Sequence, residues 1–117
     1  MELAAKKLVY DVDQAVNLIT EFTADKEFED YATDVMLRSA VERQFEIVGE
    51  ALNRLKQVDM QLLSRISDYH RIIGFRNVLA HGYDVVSDEI VWDIIQNRLP
   101  LLRQEIDEIK WEAGIAD

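Results

Sequence analysis

The sequence predicts an all-α protein, an antiparallel helical bundle of about four to five helices with a kinked, long C-terminal helix. Three observations carry that expectation. Apolar residues recur at spacings of three and four through most of the chain. No run of alternating β-branched residues is long enough for a strand. A single Pro and four Gly leave room for few turns.

The first helix is expected from Glu2 to Phe22, where Leu8, Val12, Ala15, Ile19 and Phe22 form one stripe. Thr23 to Glu29 is polar and reads as a connection. A longer helix follows from Asp30 to Lys56, aligned by Val41, Phe45, Val48, Leu52 and Leu55. The pattern breaks at Val58 and Asp59, and MQLLSRIS fits a short helix. Tyr69 to His81 makes the next, with Gly82 placed to end it as a left-handed cap. Ser87 ahead of Asp88 and Glu89 has the chemistry of an N-cap with acids in the first turn. The last helix runs to Trp111, bent at Pro100, which has no N–H for the helical ladder.

Residues 1–117 show no linker, repeat or low-complexity segment, which fits a single helical domain. Without cysteine, neither a disulfide framework nor a thiolate metal site can form. The charged N-terminus MELAAKKLVYDVDQ is no secretory signal, and no apolar run is long enough to span a bilayer. A cytoplasmic protein with no membrane association is expected. A net charge of −10 argues against broad binding to polyanions. The acidity is uneven, however. Residues 60–83 hold three arginines and one acid, whereas the remainder holds 10 basic and 22 acidic side chains. Both histidines, His70 and His81, fall in the spared segment.

Within it, RNVLAHGY gathers most of the polar chemistry. At about 100° of rotation per residue, Ile72, Phe75 and Leu79 share one side of the helix. His70, Gly74, Asn77 and His81 share roughly the opposite side, where Gly74 permits close approach. Asn77 could hydrogen-bond and orient His81, four residues on. An imidazole near neutral pH can both accept and donate a proton. Arg76 projects about 140° from His81, nearer the apolar side, and its donors need an anion. A carboxylate such as Glu46 or a substrate phosphate would serve. A bland account stays open: the histidine as a helix-end residue, the arginine as a salt-bridge strut.

The ridge Glu42, Glu46, Glu50 does not suggest a metal site, because neither histidine has a Glu three residues before it. Arg38 and Arg54 stand four positions from Glu42 and Glu50, so surface pairing explains the ridge. No metal and no cofactor is expected. No Gly-rich phosphate loop or nucleophile signature is present. Trp92 and Trp111 read as core or interface residues.

The chain resembles the HEPN superfamily, and within it the HepT-like toxins. The resemblance rests on Arg76-Asn77 and His81-Gly82-Tyr83, an Arg, four to six residues, then His, with a tyrosine two positions on. SAVERQFEIVGEALNRL (Ser39 to Leu55), IIGFRNVLAHGYDVVSDEIVWDII (Ile72 to Ile95) and Leu99-Pro100-Leu101 extend it over nearly the whole chain. Where the family often has Pro-Trp before the motif helix, this chain has Tyr69-His70-Arg71, which bears on the cleft rim.

The resemblance implies a homodimeric, metal-independent endoribonuclease, the toxin of a toxin–antitoxin pair acting on an RNA substrate. It implies Arg76 and His81 as the catalytic pair, Asn77 as their support, and a cognate minimal nucleotidyltransferase antitoxin that neutralises the toxin, in some systems of the family by attaching AMP to the motif tyrosine, for which Tyr83 is the candidate. Larger assemblies with that antitoxin are compatible with it. Two other readings compete: a non-catalytic module that docks a nucleotidyltransferase or a nucleotide, and a plain helical dimerisation protein.

Overall fold

The computed structural model describes residues 1–81 and 86–115. Among these the chain forms seven helices and no strand: α1 (Leu3–Thr23), α2 (Phe28–Thr33), α3 (Val35–Val58), α4 (Met60–Leu63), α5 (Tyr69–His81), α6 (Asp88–Asn97) and α7 (Leu99–Ala113). The all-α expectation holds. The larger number of helices comes from breaks that hydrophobic spacing does not register.

The helix expected over Asp30 to Lys56 is divided at Asp34, which adopts extended backbone and accepts a hydrogen bond from the Leu37 N–H at 3.1 Å. A carboxylate that satisfies an orphan donor starts a new helix there. A short one precedes it, because the Glu27 N–H donates to the Asp30 carboxylate at 2.8 Å. Helix therefore begins at Phe28, inside the segment expected to be a connection. Of MQLLSRIS only Met60–Leu63 is helical, capped by Asp59 on the Leu62 N–H.

The C-terminal helix is two helices meeting at Arg98, not one bent helix. Pro100 stands in the first turn of α7, where its missing N–H costs least. Backbone bonds from Arg98 N–H to Ile94 (2.9 Å) and from Leu102 N–H to Arg98 (3.1 Å) carry the chain through the junction.

Leu8 and Asp11 of α1 lie beside Ile47, Glu50, Ala51 and Arg54 of α3, so the first half of α1 meets the second half of α3. The two long helices are antiparallel. Leu8, Val12, Ala15 and Ile19 are buried against Val41, Phe45, Val48, Leu52 and Leu55, while Phe22 stays half-buried at the edge. On the other side of α1, α7 contributes Leu102, Ile106 and Ile109 to the same core.

One contact across α1 and α7 is ionic and buried. Asp13, 3 % exposed, meets Lys110, 5 % exposed, at 3.0 Å and also binds the Arg103 guanidinium. Arg103 reaches Asp107 at 2.7 Å as well. Trp92 packs on Phe28 and Tyr31, tying α6 to α2. Trp111, by contrast, is 86 % exposed, so it is no part of this chain's core. No helix among the described residues is long and apolar enough to cross a membrane.

Candidate active site

Of the candidate site residues, Arg76, Asn77 and His81 lie on α5, which rests on α3. Ile73 is its one buried side chain, and Ile72, Phe75 and Leu79 pack half-buried against the core as their spacing predicts. The Phe75 ring meets Phe45 of α3 at 5.4 Å, edge to face. The start of α5 is strapped elsewhere. Asp68, in left-handed backbone that Asp tolerates better than most residues, bonds to Arg98 at 2.5 Å. Next to it, the Ser67 hydroxyl donates to Glu105 of α7 at 2.7 Å. Between these straps and α3 lies a cavity of about 260 Å³, floored by Phe45, Val48, Ile72 and Phe75. Neither histidine lines it.

His70, Gly74, Asn77 and His81 are all exposed, forming the polar stripe expected from their spacing. Beyond its own helix backbone and chain neighbours, no atom of the described residues lies within 4 Å of where a Gly74 Cβ would sit, so the middle of the stripe is not covered by them. Arg76 is half-buried, yet one guanidinium nitrogen donates to the Asn77 Oδ1 at 3.0 Å. Asn77 thus accepts from Arg76; the expected bond from Asn77 to His81 does not form. Glu46 does not hold Arg76 either, since it pairs with Arg43 at 3.2 Å. Among the described residues Arg76 makes no ion pair, and its one side-chain hydrogen bond is to Asn77. Gly82 and Tyr83 lie outside the described residues.

α6 begins just after those residues. Ser87 occupies the N-cap position but its hydroxyl donates to the Glu89 carboxylate at 2.6 Å instead of to the backbone, and this bond holds the Glu89 carboxyl below its usual range. The first turn of α6 also supplies Asp88 to a polar cluster with α2 and α3. Arg38 donates to the Ala32 carbonyl at 2.6 Å and lies 3.9 Å from Asp88, so the surface pair expected with Glu42 is not its main engagement. Glu50 does pair with Arg54, at 3.2 Å. Tyr31 is fully buried and its hydroxyl has no partner among the described residues. Burial, then the charges of Glu42 and Asp88, push its ionisation up. Burial and the nearby Asp88 likewise raise the Glu42 carboxyl above its usual range.

A carboxyl that binds its proton more tightly folded than unfolded loses stability as it ionises. The contribution of Glu42 is therefore present at low pH and declines as pH rises above about 4.3, the ordinary glutamate value. Glu42→Gln should melt above the parent at pH 7 and match it at the acid end. Parallel melting curves across that range would contradict the assignment of this strain to Glu42.

Among the described residues no three His, Asp or Glu side chains are grouped so that they could hold a metal ion. What α5 offers is an exposed imidazole and a guanidinium that meets no carboxylate among the described residues. The chemistry open to that pair is proton transfer beside a phosphate.

Residues 12–109 match the family described as Ribonuclease HepT-like. The chain belongs to that family. Its relatives include a Thermococcus cleftensis protein named probable ribonuclease HepT, 28 % identical over 110 residues that cover 94 % of this chain and 99 % of the relative. A Methanocaldococcus jannaschii protein that bears the provisional name of an RNase is 30 % identical over 104 residues, 89 % of this chain and 85 % of the other. The same fold occurs in a solved structure of a tri-AMPylated Shewanella oneidensis HEPN toxin in complex with an MNT antitoxin. That chain superposes with a TM-score of 0.69 at 19 % identity, over 94 % of this chain and 98 % of its own. As a HepT-like ribonuclease, the protein is an RNA-cleaving enzyme.

Proposed function

We propose that this HepT-like protein is a metal-independent endoribonuclease toxin whose active site is completed by a second copy of the chain. In the reaction, a ribose 2′-oxygen bonds to the adjacent phosphorus and the bond from phosphorus to the 5′-oxygen breaks. A cyclic phosphate and a 5′-hydroxyl result. One His81 takes the 2′-hydroxyl proton, and the His81 of the second copy protonates the leaving oxygen. Arg76, held by Asn77, faces the charge that builds on the phosphate oxygens.

The observation that carries this reading is the state of Arg76. Its guanidinium has one neutral acceptor and no carboxylate among the described residues, beside an exposed histidine stripe with an open centre at Gly74. A single copy supplies one imidazole, whereas a two-fold pair supplies two histidines and two arginines. Two segments spared the surrounding acidity would then form a groove able to admit RNA, and the acidic exterior would discourage binding elsewhere.

Regulation follows from the same site. A nucleotidyltransferase antitoxin that attaches AMP to Tyr83 would add bulk and negative charge two residues beyond His81. The MNT-bound, AMPylated toxin from Shewanella oneidensis supports this class of partner.

The decisive experiment incubates purified protein with a short RNA, with and without EDTA. Fragments ending in cyclic phosphate and 5′-hydroxyl, at equal rates in both, are expected. A strict need for added divalent ion would overturn the mechanism. Intact RNA alongside retained nucleotide or nucleotidyltransferase binding would instead favour the non-catalytic docking module.

A further inference from the structure

Arg76 poses a geometric problem. It lies about 140° around α5 from His81, on the side turned toward α3, yet its guanidinium meets Asn77 on the exposed stripe. The answer lies in α3. Gly49 is buried in the interior of that 24-residue helix, where glycine is a poorer choice than alanine. Its backbone is not in the left-handed region, so conformation does not demand glycine there. Space does. A methyl group on Gly49 would lie 2.1 Å from the Arg76 Cβ, 2.7 Å from its Cγ and 3.3 Å from the Ile72 carbonyl oxygen.

The Cβ of a helical residue is fixed by its backbone and cannot swing aside as the end of a long side chain can. To accommodate a side chain at Gly49, α5 would have to withdraw by roughly 1.5 Å to regain ordinary contact distance. The Arg76 stem lies against the bare backbone of Gly49, and its guanidinium emerges beside Asn77.

We propose that Gly49 is the positioning residue for Arg76: by omitting a side chain it lets α5 lie close enough to α3 for the guanidinium to serve the His81 face. Its consequence for catalysis rests on the ribonuclease reading above; its geometry does not.

Three variants test it: Gly49→Ala, Arg76→Gly, and the pair together. Gly49→Ala should keep its helical content and lose about 100-fold in kcat, as expected for a misplacement of about 1 Å, with KM changed far less. In NMR spectra the Arg76 Nε–H resonance should shift in this variant. The double variant should melt above Gly49→Ala alone, because the colliding Cβ is gone. If Gly49→Ala does not fold, recovery of folding in the double variant supports the proposal and continued unfolding overturns it. Parent kcat with an unmoved Arg76 resonance would also overturn it, as would a double variant no more stable than the single. Should the parent itself cut no RNA, the ribonuclease reading fails, while the resonance and the melting order still decide the role of Gly49.

Discussion

His81→Ala should lower RNA cleavage by about 10³-fold, within the range for removal of a general acid–base group. Arg76→Ala should have an effect of about 10²–10³-fold, typical of losing a group that stabilises charge in the transition state. Their stability effects should differ. His81 is exposed at the end of α5, so its loss should change stability by less than about 0.5 kcal/mol. Arg76 is half-buried with its stem against Gly49, so truncation removes packing as well as charge and should cost somewhat more. Rates measured on variants of confirmed dimeric state and helicity separate the effects. A His81→Ala protein that cuts RNA at the parental rate would remove His81 from the mechanism.

Asp13→Ala should have the opposite profile, a large loss of stability with the chemistry untouched at subsaturating denaturant. Asp13 is nearly sealed from water and holds two cations, Lys110 at 3.0 Å and the Arg103 guanidinium. Removing it takes a carboxylate from the buried Lys110 ammonium, and breaking a buried pair from one side costs about 3–5 kcal/mol in comparable cases. That is a large part of the about 5–15 kcal/mol that holds a domain of this kind folded. The Arg103 guanidinium is partly rescued by Asp107 and Asn17. The pair itself is not expected to be a large net source of stability, because desolvating both ions offsets most of their attraction. Replacing both partners, Asp13→Leu with Lys110→Met, should therefore recover most of what Asp13→Ala loses. Urea unfolding of the three proteins checks this. A loss below about 1 kcal/mol in Asp13→Ala would mean the cluster is hydrated in solution.

How far the candidate site could be read without a structure depends on the distance over which each interaction acts. The stripe of His70, Gly74, Asn77 and His81 was legible because four residues on one helix are placed by the helical repeat alone. Arg76 was legible as a residue in need of an anion, but its partner was not. Asn77 next to it, and not Glu46 of α3, accepts its hydrogen bond. The same limit explains the helix breaks at Asp34 and Arg98. Hydrophobic spacing runs through both points, and only the backbone geometry shows that a carboxylate cap and a proline in a first turn divide the segments. Gly49 carried no signal of its own: a glycine within a helical pattern can mark packing, a kink or nothing at all.

The order of amino acids by itself determined that this chain is helical, which faces of its helices turn inward, and that its polar chemistry gathers on the helix ending at His81. These follow from the local repeat of about 3.6 residues per turn and from side-chain chemistry. Only the tertiary structure decided that Gly49 lies beneath Arg76, that Asp13 is clasped by two cations from α7, and that Trp111 faces outward. The first two join residues tens of positions apart, the third depends on what packs around the C-terminal helix, and no periodicity encodes how closely two helices meet or which charge one of them presents to the other.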